Sequence, residues 1–260
     1  MKKPVFLLYG IVVYVVFFAT FCYAVGFVST LVVPKHIDSV PQSPLSYALL
    51  VNASLLTLFA LQHSIMARPA FKQWWTKFIP EPIERSTYVL LASACLLLLF
   101  QYWQPMGGVV WQIESEILQI VLKAFCLFGF SIVLISTFLI NHFDLFGLRQ
   151  VWFYFTGKRY ESLSFRTPFF YKYVRHPLYL GFMIAFWSTP IMTAAHLFFA
   201  IMTTVYMLTA IQFEENDLVK HFGAKYREYK RSAPMLIPFT KGSKNKTTDS
   251  IYSSDVNSLK

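Results

Sequence analysis

Charge is what this chain has least of: 14% of its 260 residues are Asp, Glu, Lys or Arg, against 56% hydrophobic. Soluble domains carry roughly 25% charged residues, so a water-soluble globule is excluded and lipid is the expected solvent. Cysteine is scarcer still. Cys22, Cys95 and Cys126 are an odd number, each inside a long apolar run. That excludes a disulfide framework and reads as three small buried hydrophobes. None has a Cys or His near it at metal-ligand spacing, so no metal is implied. No internal repeat is present. Met1-Lys2-Lys3 has the charge of a signal peptide, but the apolar run from Val5 to Val33 is too long and lacks a small-residue cleavage site. The first segment is expected to stay as an anchor.

What the chain has is long apolar stretches. Crossing ~30 Å of hydrocarbon takes roughly 20 helical residues. Candidate spans are 5–33, 45–66, 86–103 and 117–140, followed by an apolar stretch over 178–213 that Thr189-Pro190 interrupts. The last stretch is long enough for a tight hairpin with its turn near Pro190 to Ala194. Backbone in lipid must satisfy its own hydrogen bonds, so the expected fold is an all-α bundle of five to six transmembrane helices. A single domain is expected over 1–239, with 240–260 a disordered polar tail.

The net charge of +10 would suggest nucleic acid only if the basic residues formed a soluble patch. Instead, 21 of the 23 Lys and Arg fall in the N-terminus, 67–85, 141–177 and 214–260. Lys35 is opposite, and Lys123 lies in the fourth span, where snorkelling explains it. The asymmetry makes the basic side cytoplasmic, with both termini inside, and the bilayer rather than nucleic acid the partner. With no organelle-type presequence, a bacterial cytoplasmic membrane is the expected location. Trp103 and Trp111 at the outer loop, and Trp74, Trp75 and Trp152 at the inner ends, read as interfacial anchors. The sequence implies no particular oligomeric state.

Polar residues gather at the inner helix ends. Arg175-His176-Pro177-Leu178-Tyr179-Leu180-Gly181 opens the terminal hairpin. Pro177 suits a first helical turn, Gly181 permits close approach, and Arg175 and His176 flank a helix N-terminus that favours an anion. Glu214-Glu215 close the hairpin. Neighbouring helical residues point about 100° apart, so at most one of the two faces a given ligand. A cationic partner for them is Arg175 or a ligand's ammonium or sulfonium group. Gly223 is a plausible helix stop.

Arg-His-Pro-x-Tyr-x-Gly, a hydrophobic hairpin, Glu-Glu, Phe-Gly-x-x-Tyr-x-x-Tyr and Ala-Pro-x-x-x-Pro (Ala233, Pro234, Pro238) follow one another over residues 170–239. This order resembles the isoprenylcysteine carboxyl methyltransferase and phospholipid methyltransferase superfamily. The resemblance implies that 170–239 is a cytoplasmic half binding S-adenosylmethionine. It assigns Arg175, His176, Tyr179, Gly181, Glu214 and Glu215 to that cofactor, with Arg175 a candidate carboxylate partner.

Two further patches carry potential chemistry: Asn141-His142-Phe143-Asp144-Leu145-Phe146-Gly147-Leu148-Arg149-Gln150-Val151-Trp152 and Gln62-His63-Ser64-Ile65-Met66-Ala67-Arg68-Pro69. His142 and Asp144 are candidates for a hydrogen-bonded acid/base pair, with Arg149 orienting Asp144. The bland readings are an interfacial histidine at His63 and a topology signal at Arg68. Together the two patches resemble the membrane-bound methanethiol S-methyltransferase family, which shares features with nitrite/nitric-oxide reductase-associated membrane proteins. The resemblance covers nearly everything but the tail, and implies methyl transfer from S-adenosylmethionine to methanethiol, giving dimethyl sulfide. Thiolate is the better nucleophile and the thiol is mostly protonated at neutral pH, so a base is expected. His142, poised by Asp144, is the first candidate and His63 the reserve. Arg149 or Arg68 would order the cluster. Phe143, Phe146 and Leu148 are candidate walls of a small apolar pocket. A prenylcysteine, lipid or amine substrate, or a non-enzymatic membrane accessory role, are the alternative readings.

Overall fold

A computed structural model describes residues 2–161 and 163–240. The expected tail over 240–260 lies, apart from Thr240, outside the described residues. Five long helices form the bundle: α1 (Lys2–Ser29), α2 (Leu45–Met66), α4 (Glu81–Tyr102), α5 (Glu116–Ile140) and α9 (Ala194–Phe222). At 1.5 Å per residue the shortest is about 33 Å long, enough to cross a bilayer. Their outward faces carry Val5, Leu8, Val12, Leu50, Leu61, Ile117, Ile120 and Phe128, all exposed. In water such a surface would aggregate; in lipid it is the expected contact. The chain is an all-α integral membrane protein.

Shorter elements lie between the long ones: α3 (Pro69–Trp75), α6 (His142–Leu145), α7 (Leu148–Thr156), α8 (Pro177–Trp187) and α10 (Ala224–Ser232). The hairpin turns where the sequence places it, but its first arm, α8, is an 11-residue helix. Pro190 cannot continue a helix, and the chain instead runs on as β2 (Ile191–Thr193), antiparallel to β1 (Val109–Gln112) from the outer loop. This small sheet satisfies backbone that would otherwise be orphaned at the membrane boundary. Gly223, at φ +60°, ends α9 as expected.

Three sequence expectations change. The first span stops at Ser29 rather than residue 33, because the chain folds back with Leu31 N–H donating to Gly26 C=O at 3.1 Å. Trp103 is not an interfacial anchor: it is fully buried among Phe27, Phe199 and Ile37, and its indole N–H donates to Ile37 C=O at 3.2 Å. Cys22 is exposed, whereas Cys95 and Cys126 are buried.

Helices α5 and α8 approach most closely, at Gly129 and Gly181. A Cβ on Gly181 would lie 2.7 Å from Gly129 O, and one on Gly129 would lie 2.6 Å from Ala185 N and from Gly181 O. Those neighbours are backbone and cannot swing aside. Small residues at such crossings let membrane helices pack through van der Waals contact alone. Gly181→Ala is therefore expected to cost about 1–3 kcal/mol by overpacking, read as a lowered thermal unfolding midpoint in detergent. Leu180→Ala, which crowds no backbone in this way, is the comparison.

Candidate active site

The N-terminus of α8 and the inner end of α9 meet around one buried carboxylate. Glu215 is 2% exposed. It accepts from Arg175 Nε at 2.7 Å, His176 Nε2 at 3.1 Å and Lys230 Nζ at 2.7 Å. The Arg175 Nη1 group donates to the carbonyls of Lys230 (2.9 Å) and Ala233 (2.8 Å). Backbone bonds from Arg175 N–H to Pro234 C=O and His176 N–H to Met235 C=O tie the Ala-Pro segment to the start of α8. Arg175 and Glu215 thus answer each other's charge, and the pair is protected from water.

Glu214 points elsewhere, as the 100° helical step requires. Its side chain is 44% exposed, and His176 Nδ1 approaches at 4.0 Å. Tyr179 lies against it, with the Tyr179 and His176 rings 5.7 Å apart. Nearby, the Tyr226 hydroxyl is buried with no hydrogen-bond partner among the described residues. Burial raises its pKa, so it stays a neutral donor. Gly181 packs against α5, where an added Cβ would meet Gly129 O and Val133.

A cavity of about 360 Å³ opens inside the bundle, between α1, α2, α4, α5, α8 and α9. Its inner end is polar, walled by His63, Arg85, Tyr88, Thr137, His142, Tyr179 and Tyr206; further out it is almost wholly aliphatic and aromatic. Tyr179 belongs both to this wall and to the Glu214 cluster. It marks where the two join.

The two candidate bases are both on that wall, in different circumstances. Thr137 Oγ1 donates to Leu134 C=O at 2.6 Å, so towards His142 Nδ1, at 2.8 Å, it can only accept. His142 therefore carries its proton on Nδ1, and Nε2 accepts from the Tyr14 hydroxyl at 2.8 Å. Phe138 stacks on the ring at 4.1 Å. Both nitrogens are engaged, and His142 braces α1, α5 and α6. His63 instead meets the Tyr88 hydroxyl, 2.9 Å from Nδ1, and Tyr88 is itself a cavity residue.

Asp144 does not poise His142. Residues two apart on a helix point about 200° from one another, and Asp144 turns away from the cavity. Arg149 does hold it, at 2.9 Å, with the Tyr160 hydroxyl donating at 3.1 Å. Neither Asp144 nor Arg149 lines the cavity. Phe146 does, whereas Phe143 and Leu148 do not, Phe143 being exposed. Arg68, in the turn between α2 and α3, pairs with Asp217 at 2.8 Å and ties that turn to α9, which is more than a topology signal.

Burial holds the His142 pKa below the ordinary imidazole value. In the window beneath about pH 6.5 the unfolded chain binds a proton there that the folded one refuses. Stability from this site is full above that pH and is lost as pH falls towards the depressed folded value. The wild type minus His142→Asn difference in unfolding midpoint should therefore shrink as pH drops from 7.5 to 5.

The phospholipid methyltransferase family model matches residues 119–225. A protein of Crocosphaera subtropica named methanethiol S-methyltransferase is 54% identical, over 92% of this chain and 94% of its own length. One of the same name from Mycobacterium tuberculosis is 50% identical over 92% of this chain and 98% of its own. Methanethiol S-methyltransferase 1 of Bradyrhizobium diazoefficiens is 52% identical over 91% of this chain and 83% of its own. The chain belongs to the methanethiol S-methyltransferase family. No solved structure matches it.

Within this family member, reading the sequence missed Tyr14, Arg85, Tyr88, Thr137, Tyr206 and Lys230. Most sit in apolar runs where a lone tyrosine or threonine gives no signal. Lys230 lies directly after the Tyr-x-x-Tyr pattern, and only the fold brings it to Glu215.

Proposed function

We propose that this protein methylates methanethiol to dimethyl sulfide with S-adenosylmethionine as donor, at the junction marked by Tyr179. The observation that carries the reading is that one side chain belongs both to the Glu214 cluster and to the polar end of the cavity. The remaining residues fit such a donor. Glu214 keeps a half-exposed carboxylate suited to an ammonium group, and Tyr226 keeps an unpaired buried hydroxyl. Arg175 and Glu215, being committed to each other, shape this site rather than grip the ligand. When bound, the donor supplies an electrophilic methyl carbon on a sulfonium.

The chain's own task is then to align the thiol, strip its proton and exclude water. Here the geometry favours His63 over His142, reversing the order expected from sequence. Both His63 ring nitrogens meet one group, the Tyr88 hydroxyl, which itself lines the cavity, so a proton taken there comes from a cavity ligand; His142 instead spends its two nitrogens on Thr137 and Tyr14, bracing separate helices. We also place the reaction on the cytoplasmic face of a bacterial inner membrane, because the Glu214 cluster sits on the basic side of the bundle. Equilibrium binding of radiolabelled S-adenosylmethionine tests the donor site. Glu214→Ala should weaken binding at least tenfold with little change in unfolding midpoint, because the lost carboxylate is half-exposed. Unchanged binding would remove Glu214 from the site.

A further inference from the structure

Methanethiol has two heavy atoms and fills roughly 60 Å³, taking a water's share of about 30 Å³ for each. The cavity holds about 360 Å³. That is within the range of pockets for much larger ligands, 300–1,000 Å³. The space is also polarised. On α4 its wall runs from Arg85 and Tyr88 at the inner end to Leu99 and Phe100 at the outer. By helix rise that is about 22 Å of depth. Beyond Tyr179 the wall is Leu56, Leu96, Phe130, Phe182 and Phe199. A ligand matching it has one polar head at the His63–Tyr88 end and an unbranched apolar tail.

We infer that the site also methylates straight-chain alkanethiols of about four to eight carbons, the tail lying along the bundle axis; this rests on the thiol reading of the same site. In the step, the thiol proton passes to the His63–Tyr88 pair. The sulfur forms a bond to the methyl carbon as the methyl–sulfonium bond breaks, and that electron pair stays on the donor's sulfur. The products are a methyl alkyl sulfide and S-adenosylhomocysteine. At roughly 30 Å³ per heavy atom about twelve atoms fill the whole volume, sulfur included, so dodecanethiol, with thirteen, overfills it and should be a poor substrate.

The experiment supplies nanodisc-reconstituted protein with S-adenosylmethionine and methanethiol, butanethiol, hexanethiol or dodecanethiol, and quantifies each methyl sulfide by gas chromatography. Butanethiol and hexanethiol should react at no less than a tenth of the methanethiol rate, and dodecanethiol at least tenfold more slowly than hexanethiol. Ala92 lies on the wall at mid-depth. Ala92→Phe should cut hexanethiol turnover at least tenfold while methanethiol turnover stays within twofold. Leu96→Trp serves the same purpose should the first variant fail to fold. Without any donor, hexyl methyl sulfide should raise the wild-type thermal midpoint and leave that of the plugged variant unchanged. Methanethiol turnover with no butanethiol or hexanethiol product would overturn the inference and leave the space to a lipid tail. Loss of all methylation, methanethiol included, would instead count against the proposed function.

Discussion

His63→Ala is expected to lower dimethyl sulfide formation about 10²- to 10⁴-fold, the range for loss of a positioned general base. Binding of the methyl donor should be little affected, since among the described residues the His63 ring hydrogen-bonds to Tyr88 and not to Glu214, Tyr179 or Tyr226. His142→Ala should behave differently. It cuts bonds to Tyr14 and Thr137, each 2.8 Å, and removes a ring stacked on Phe138. Its main effect is a lowered unfolding midpoint, with much of the per-molecule rate surviving in the folded fraction. Tyr88→Phe separates the partners further: it keeps the ring and removes the hydroxyl beside His63 Nδ1. A headspace assay normalised to folded protein reads all three. Equal rate losses at His63 and His142 would show that both take part in proton removal.

Glu215→Ala is expected to be the most damaging substitution for folding. It strands the buried Arg175 guanidinium and removes the acceptor shared by His176 and Lys230. Breaking a buried ion pair from one side costs about 3–5 kcal/mol, a large part of the 5–15 kcal/mol that holds a typical domain folded. Little folded protein should survive extraction into mild detergent, judged by heating followed by fluorescence-detected size exclusion. The paired replacement Arg175→Met with Glu215→Met removes both charges and should recover part of the loss. Wild-type stability in Glu215→Ala would show that this buried cluster does not hold the fold together. Its contrast with Glu214→Ala is informative. Adjacent acidic residues on one helix divide between holding the fold and meeting a ligand because a single helical step turns one inwards and the other out.

Much of this was legible in the sequence, and the reasons differ by residue. The spans could be read because lipid tolerates only long apolar helices, and the hairpin turn because Pro190 forbids a continuous one. The Arg175 to Glu215 pairing was foreshadowed by cost, since a carboxylate beside apolar surroundings demands a cation. Other features depend on rotation about helices. Asp144 was expected at His142, and helical phase carries it to Arg149 instead. Trp103 has the position of an interfacial anchor, but the connection between α1 and α2 packs against it and Ile37 C=O accepts its N–H. The cavity itself had no signature. Its walls are residues that look like ordinary core, and the space between them depends on how α1, α2, α4, α5, α8 and α9 pack around it.

The central claim is that a methyl group moves from S-adenosylmethionine to a thiol held between the Glu214 cluster and the His63–Tyr88 wall. Headspace gas chromatography on membranes carrying the protein, supplied with both reagents, tests it most directly. Dimethyl sulfide should form only with both methanethiol and S-adenosylmethionine, and should fall at least tenfold with Glu214→Ala and a hundredfold or more with His63→Ala. Folded protein that binds S-adenosylmethionine yet yields no dimethyl sulfide would contradict it.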